Sequence, residues 1–135
     1  MVLLIDTNVI LDVLLNRPEF VKASSLVWKL CETGQARGYI STLSYANMMY
    51  VMRKQLNPEQ IKDVFHKLNL IFEFADFSSA VLERAVNMRW DDCEDAIQSA
   101  TAELVHADYI ITRNLKDFSQ SKVMAFTPSE LLSRI

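Results

Sequence analysis

The sequence predicts a three-layer α/β/α domain on a mostly parallel sheet of about five strands, with residues 1–135 forming one unit. Three observations carry this reading. Short apolar runs of strand length alternate with longer segments whose apolar residues recur every three or four positions, as in a parallel sheet covered by helices on both faces. Links such as Ala107-Asp108 are short, as in tightly wound units. A chain of 135 residues that is 50% hydrophobic supplies enough apolar surface for one core and too little for two.

The first strand is Val2 to Ile5, a buried apolar run that stops abruptly at Asp6. Val9, Ile10, Val13 and Leu14 then form the stripe of a short helix beginning near Val9, with Asp6, Thr7 or Asn8 available as its cap. From Glu19 to Thr33, Phe20, Ala23, Leu26, Val27, Leu30 and Cys31 give a second helix, ended by Gly34 as its C′ residue. Arg37 to Ile40 is the second strand. Ser41, Thr42 or Ser44 caps a helix over Tyr45 to Lys54, in which Asn47 reads as a surface position. Asn57-Pro58-Glu59-Gln60 starts another, with Asn57 as N-cap, Pro58 at N1 and Gln60 at N3, and its buried face is Ile61, Val64, Phe65 and Leu68.

Leu70 to Phe74 is the third predicted strand, and Asp76 or Ser78 caps a helix through Ala80, Val81, Leu82, Ala85 and Val86. Asp91-Asp92-Cys93-Glu94-Asp95, four acids in five residues, leads into a helix of small residues: Ala96, Ser99, Ala100, Thr101 and Ala102. A core stripe of Cys93, Ile97, Ala100 and Leu104 turns Asp95 away from the sheet. Tyr109 to Thr112 and Val123 to Phe126 are the fourth and fifth strands. Thr127-Pro128-Ser129-Glu130 is a capping box that opens a final short helix.

Composition narrows the function classes. Two glycines, three prolines and no biased run exclude disorder and collagen-like structure. Cys31 and Cys93 are isolated and His66 and His106 match no zinc spacing, which fits a reduced, cytoplasmic protein. Asp6, Asn8 and Asp12 interrupt the apolar start and no basic region precedes it, so it does not read as a signal peptide. No run reaches the length of a membrane span, so no membrane partner is expected. A net charge of −3 argues against a broad basic surface for nucleic acid. It leaves room for a nuclease that concentrates carboxylates and reaches phosphate through a metal ion.

Three polar clusters fall at comparable places: Asp6-Thr7-Asn8 after strand one, Asp92 to Asp95 opening a helix, and Thr112 to Asp117 after strand four. Strand C-termini and the N-termini of the following helices share one edge of a parallel sheet, where open α/β folds bind ligands. Two carboxylates about 4 Å apart repel by roughly 4 kcal/mol at an effective dielectric near 20, so a convergent set calls for a cation. A hard divalent ion suits oxygen ligands. The same residues have structural roles open to them: Asp6, Asp91, Asp92 and Asn114 as caps, Glu94 and Asp95 in a helix's first turn, Asp117 in a turn.

At this point the sequence resembles a PIN domain, the nuclease fold of VapC-type toxins. The match runs in order across nearly the whole chain: Ile5-Asp6-Thr7-Asn8; Ile40 to Asn47, I-S-T-L-S-Y-A-N; Glu94-Asp95-Ala96-Ile97 with Ala100 and Ala102; and Ile110-Ile111-Thr112-Arg113-Asn114 with Asp117-Phe118. The resemblance implies a three-layer PIN-like domain that cuts single-stranded RNA with Mg²⁺ or Mn²⁺, acts as the toxin of a type II toxin–antitoxin pair, binds an antitoxin protein and forms a homodimer. It implies that Asp6, Asp95 and Asp117 are catalytic and hold metal, with Asn114 completing the site, and that Thr7, Asn8 and Thr112 orient the acids. Asn47 departs from the pattern, which has Glu there, and Glu94 is the acid that stands to compensate. Arg113, Lys116 and Arg17 are expected at the rim as phosphate contacts.

Two other readings compete. A degenerate PIN domain would bind RNA or a protein without cutting, as the neutral Asn47 permits. A phosphoacceptor receiver domain would use Asp76 as acceptor, but Thr127-Pro128 stands where such a fold needs a Lys.

Overall fold

In the computed structural model, which describes all of Met1 to Ile135, the first strand lies at the centre of the sheet. The strands are β1 (Val2–Ile5), β2 (Arg37–Ser41), β3 (Glu73–Ala75), β4 (Tyr109–Ile111) and β5 (Met124–Phe126). They run in the order β3-β2-β1-β4-β5 and every pairing is parallel. The chain therefore builds outward from β1 to β3, returns to the other side of β1, and builds outward again. The reversal opens a crevice between β1 and β4 at their carboxyl ends.

Helices α1 (Thr7–Leu14), α2 (Val21–Glu32), α3 (Thr42–Met52), α4 (Pro58–Ile71) and α7 (Pro128–Leu132) pack with one face of the sheet. Helices α5 (Ser79–Met88) and α6 (Cys93–Leu104) cover the other. Alternation along β1 divides its residues between them: Leu3 and Ile5 join the larger core, Leu4 the smaller one with Ala102, Ile110 and Phe118. Gly38 on β2 permits a close approach, since a Cβ there would come 2.7 Å from Cys31 Sγ and 2.8 Å from Phe72. No helix is long and apolar enough to cross a membrane.

The expected elements form, with three corrections. The apolar stretch from Leu70 is not a strand from its start: α4 continues to Ile71, leaving Leu70 88% exposed, and β3 begins at Glu73. The Asn57 capping box starts α4 and nothing breaks it until Phe72 turns extended, so one apolar run spans two elements. Helices α1 and α3 begin earlier than their apolar stripes, because Asp6 and Ser41 cap them directly at the ends of β1 and β2. Finally, α6 has no narrow stripe. Ala96 to Ala102 are all buried, between α5 and the sheet, while Cys93 and Leu104 are exposed. A helix buried nearly all round gives no basis for turning Asp95 away.

Candidate active site

Asp6 stands at the carboxyl end of the central strand, half-buried, as the N-cap of α1. Its backbone N–H continues the sheet by donating to Ile111 O at 2.9 Å, which fixes the residue beside β4. The carboxylate is held by three donors. Oδ1 accepts from the Thr7 N–H at 2.8 Å and from Gln98 Nε2 at 3.3 Å, and Oδ2 accepts from the Thr112 hydroxyl at 2.8 Å. Thr112 is fully buried at the end of β4 and its Oγ1 accepts the Asn114 N–H at 3.1 Å. Desolvation raises the Asp6 pKa, the three hydrogen bonds pull it back, and the charge of Asp117 pushes it further up.

Asp95, on the first turn of α6, is pushed up to about 7. Burial is the largest cause, followed by the negative charges of Asp92, Asp117, Asp6 and Glu94. Acids from three separate segments thus act on one another through space, and every charged neighbour that moves Asp95 is a carboxylate. The acid run is not uniform in role. Asp92 is the N-cap, accepting the Asp95 N–H at 3.0 Å, whereas Glu94 is exposed and accepts from the Asn47 side-chain amide. Asn47 is half-buried on α3, so this bond ties α3 to α6 at the position where the resembled pattern has Glu.

Asp117 and Lys116 are exposed on a single 3-10 turn, Leu115–Phe118, anchored by the buried Phe118. Asn114 precedes that turn, exposed, and makes no side-chain cap. The remaining rim candidates face a different acid. Asp12, fully buried on α1, lies 3.3 Å from Arg17 Nη1 and 3.3 Å from Arg113 Nε. Asn8 accepts from the same Arg17 Nη1 at 3.2 Å, so its amide serves that cluster and makes no bond to Asp6.

Four participants escaped the sequence reading: Asp12, Ser24, Gln98 and Ser44. Gln98 is 6% exposed, and its Nε2 donates to Ser44 Oγ at 2.8 Å as well as to Asp6, while its Oε1 is buried without a partner. Its signal was a single long amide within the small-residue stretch of α6. Asp12 carried a stronger one, a charged residue three positions after Val9 on an apolar helix.

The donor set fits a hard divalent cation. Asp6 and Asp95 offer oxygens only, in a setting of surplus negative charge, and one or two carboxylates with water suffice for Mg²⁺. No three acidic, histidine or cysteine side chains converge closely enough to ligate one ion by themselves. A groove of about 650 Å³ lies elsewhere, lined by α5, α6 and Lys122, and includes none of these acids. Its Arg84 and Glu103 already pair at 3.0 Å, so the surplus charge marks the crevice and not the groove as the candidate site.

A family model described as PIN domain matches residues 2–116. Among solved structures, a toxin–antitoxin complex from Klebsiella pneumoniae includes a chain 26% identical, with a TM-score of 0.72, over 93% of this chain and 96% of that one. VapBC2 from Rickettsia felis, bound to a DNA fragment from their promoter, gives 18% identity and a TM-score of 0.74 over 94% and 98%. FitAcB from Neisseria gonorrhoeae gives 22% and 0.72 over 96% and 99%. The latter two share the fold. No curated protein sequence matches significantly.

Proposed function

This chain belongs to the PIN domain family, and from that premise we propose that it is a metal-dependent endoribonuclease, cutting single-stranded RNA as the toxin of a type II toxin–antitoxin pair. The observation that carries the reading is Asp95, lifted to about 7 by burial and by carboxylates from three segments, next to an Asp6 fixed by three donors. Such a set is electrostatically incomplete without a cation. Asp6 and Asp95 would hold Mg²⁺ or Mn²⁺, with Asp117 and Asn114 completing the site directly or through water. When bound, the ion would polarise the scissile phosphate and lower the pKa of an attacking water.

The chain's own residues do the positioning. Thr112, Thr7 and Gln98 fix both oxygens of Asp6, and the Asp92 cap sets the first turn from which Asp95 projects. Glu94, drawn to Asn47, keeps a negative charge beside α3, in the neighbourhood where the family's usual residue is Glu. Exposed Lys116 is suited to meeting the RNA backbone. An antitoxin partner, a homodimer, a cytoplasmic location and a single domain over residues 1–135 belong to the same proposal. Toxin–antitoxin complexes among the structural relatives support the antitoxin.

A second reading has an observation in its favour. Neutral Asn47, with no three ligands converging, suits a PIN domain that binds RNA or protein without cutting. The deciding experiment is cleavage of a mixed-sequence single-stranded RNA in Mn²⁺, Mg²⁺ or EDTA by wild type, Asp6→Asn and Asp95→Asn. Metal-dependent cutting lost in both variants is expected. Equal cutting by all three, or none by any, would leave the binding module.

A further inference from the structure

We propose that Asp12 is a positioning residue that holds Arg17 and Arg113 together as a subsite for the phosphodiester backbone of single-stranded RNA. This rests on the reading above and deepens it, from an RNA substrate to the side chains that grip its backbone. Asp12 is fully buried, yet one carboxylate serves two guanidinium groups: Arg17 Nη1 is 3.3 Å from Oδ1, and Arg113 Nε is 3.3 Å from Oδ2. The Ser24 hydroxyl donates to Oδ2 at 3.2 Å and Phe20 lies under the Arg113 guanidinium at 3.9 Å.

One arginine neutralises one carboxylate, so the second leaves the cluster with a surplus positive charge. Two guanidinium groups repel one another, and the shared anion is what allows both to stand here. Arg17 is hydrogen-bonded through Nη1 alone, and Arg113 Nε faces Oδ2 as an ion pair without a hydrogen bond, which leaves the remaining donors of each planar fork to meet an anion. Their side chains keep 31% and 22% of their exposure, enough to reach a ligand and little enough to be pre-ordered.

Placement gives the pair its use. Arg113 directly follows Thr112, whose hydroxyl holds Asp6, and Arg17 holds Asn8 on the first turn of the helix that Asp6 caps. The subsite therefore flanks the acid crevice. Acids that collect a cation repel the rest of a polyanionic substrate, and fixed cations to one side offset that repulsion for the neighbouring phosphates.

The test is binding of a fluorescent single-stranded RNA to the full chain in EDTA across a KCl series, with the Mn²⁺-induced Tm shift measured on the same proteins. Arg17→Gln and Arg113→Gln should each weaken binding and reduce the salt slope by about 0.7, the single-strand value for one phosphate contact. Asp12→Asn discriminates sharply. It makes the protein more positive, so net charge alone predicts tighter binding, whereas positioning predicts binding weaker by about tenfold, roughly one charge-assisted hydrogen bond, and a raised KM. If Asp12→Asn does not fold, Ser24→Ala should weaken binding in the same direction by less.

No binding by wild type, unchanged slopes in the arginine variants, or tighter binding by Asp12→Asn overturns the subsite. Arginine-dependent binding without cleavage in Mn²⁺ would sink the nuclease reading and leave the subsite. Cleavage with unaltered binding in the variants would do the reverse. Retained Mn²⁺ shifts in the variants show that the acid crevice is still formed.

Discussion

Asp6 and Asp12 are the same residue type, six positions apart on one short segment, and the fold treats them in opposite ways. Asp12 is fully buried and is met by two arginines and a serine hydroxyl. Asp6 is met by neutral donors and by the charges of other acids. A carboxylate whose charge is balanced within the protein is a fastening. One whose neighbours are fixed but whose charge is left unbalanced is, in the proposed function, where a cation from outside would sit. The difference is set by which elements arrive: the α1–α2 side and the residue after Thr112 bring cations to Asp12, whereas α6 and the 3-10 turn bring acids toward Asp6 and Asp95.

Four measurements put this contrast to the test. Asp12→Ala strands two arginines around a vacated buried position, and should lower stability by about 3 kcal/mol in chemical denaturation. That is the low end for unpairing a buried charge, since both arginine heads still reach water. A loss well under 1 kcal/mol would mean that Asp12 is not the fastening described here. Asp6→Asn should instead act on function, with RNA cleavage falling by at least about a hundredfold, the scale of one lost electrostatic stabiliser, and the Mn²⁺-induced Tm shift abolished. Retained metal response in that variant would remove Asp6 from the metal site.

Third, pH separates the two acids' environments. Asp95 at about 7 stays protonated in the folded protein where the unfolded chain, near the ordinary carboxylate value of 3.8, has lost its proton. The folded state therefore binds more protons between these values, and its stability falls as pH rises from about 4 through about 7. Metal-free protein should melt higher near pH 5.5 than near pH 8, by roughly a few degrees, and Asp95→Asn should flatten the dependence. Added Mn²⁺ should restore the Tm at the higher pH; an equally steep dependence in Asp95→Asn would assign it to other groups. The smallest effect is expected from Asn47→Glu. A second carboxylate facing Glu94 should lower the metal-free Tm slightly and enlarge the Mn²⁺ shift, and a reduced shift would show that the extra charge lies outside the ion's reach.

Much of the fold was legible because its signals are local. Asn57-Pro58-Glu59-Gln60 and Thr127-Pro128-Ser129-Glu130 each close a reciprocal capping box as their residues dictate, and Gly34 takes the positive φ expected after α2. The strand error at Leu70 arose where hydrophobicity cannot separate a helix end from a strand start. Asp6, Asp95 and Asp117 were legible as candidates from their place at strand and helix ends, together with the family resemblance. Gln98 was not, because its role is a bond to a residue 92 positions away. Nor was Asp12, whose partners Ser24 and Arg113 come from a different helix and from beyond β4.

By itself, then, the sequence determined the alternation of strands and helices, most of their caps, and the set of acids that could meet, since capping, apolar periodicity and chain-end chemistry act within a few residues. Tertiary structure alone decided which acids gather without a counter-charge and which is neutralised. The strand order β3-β2-β1-β4-β5 puts the ends of β1 and β4 side by side, and the charge a carboxylate feels depends on what lies within a few ångströms in space, however far apart along the chain.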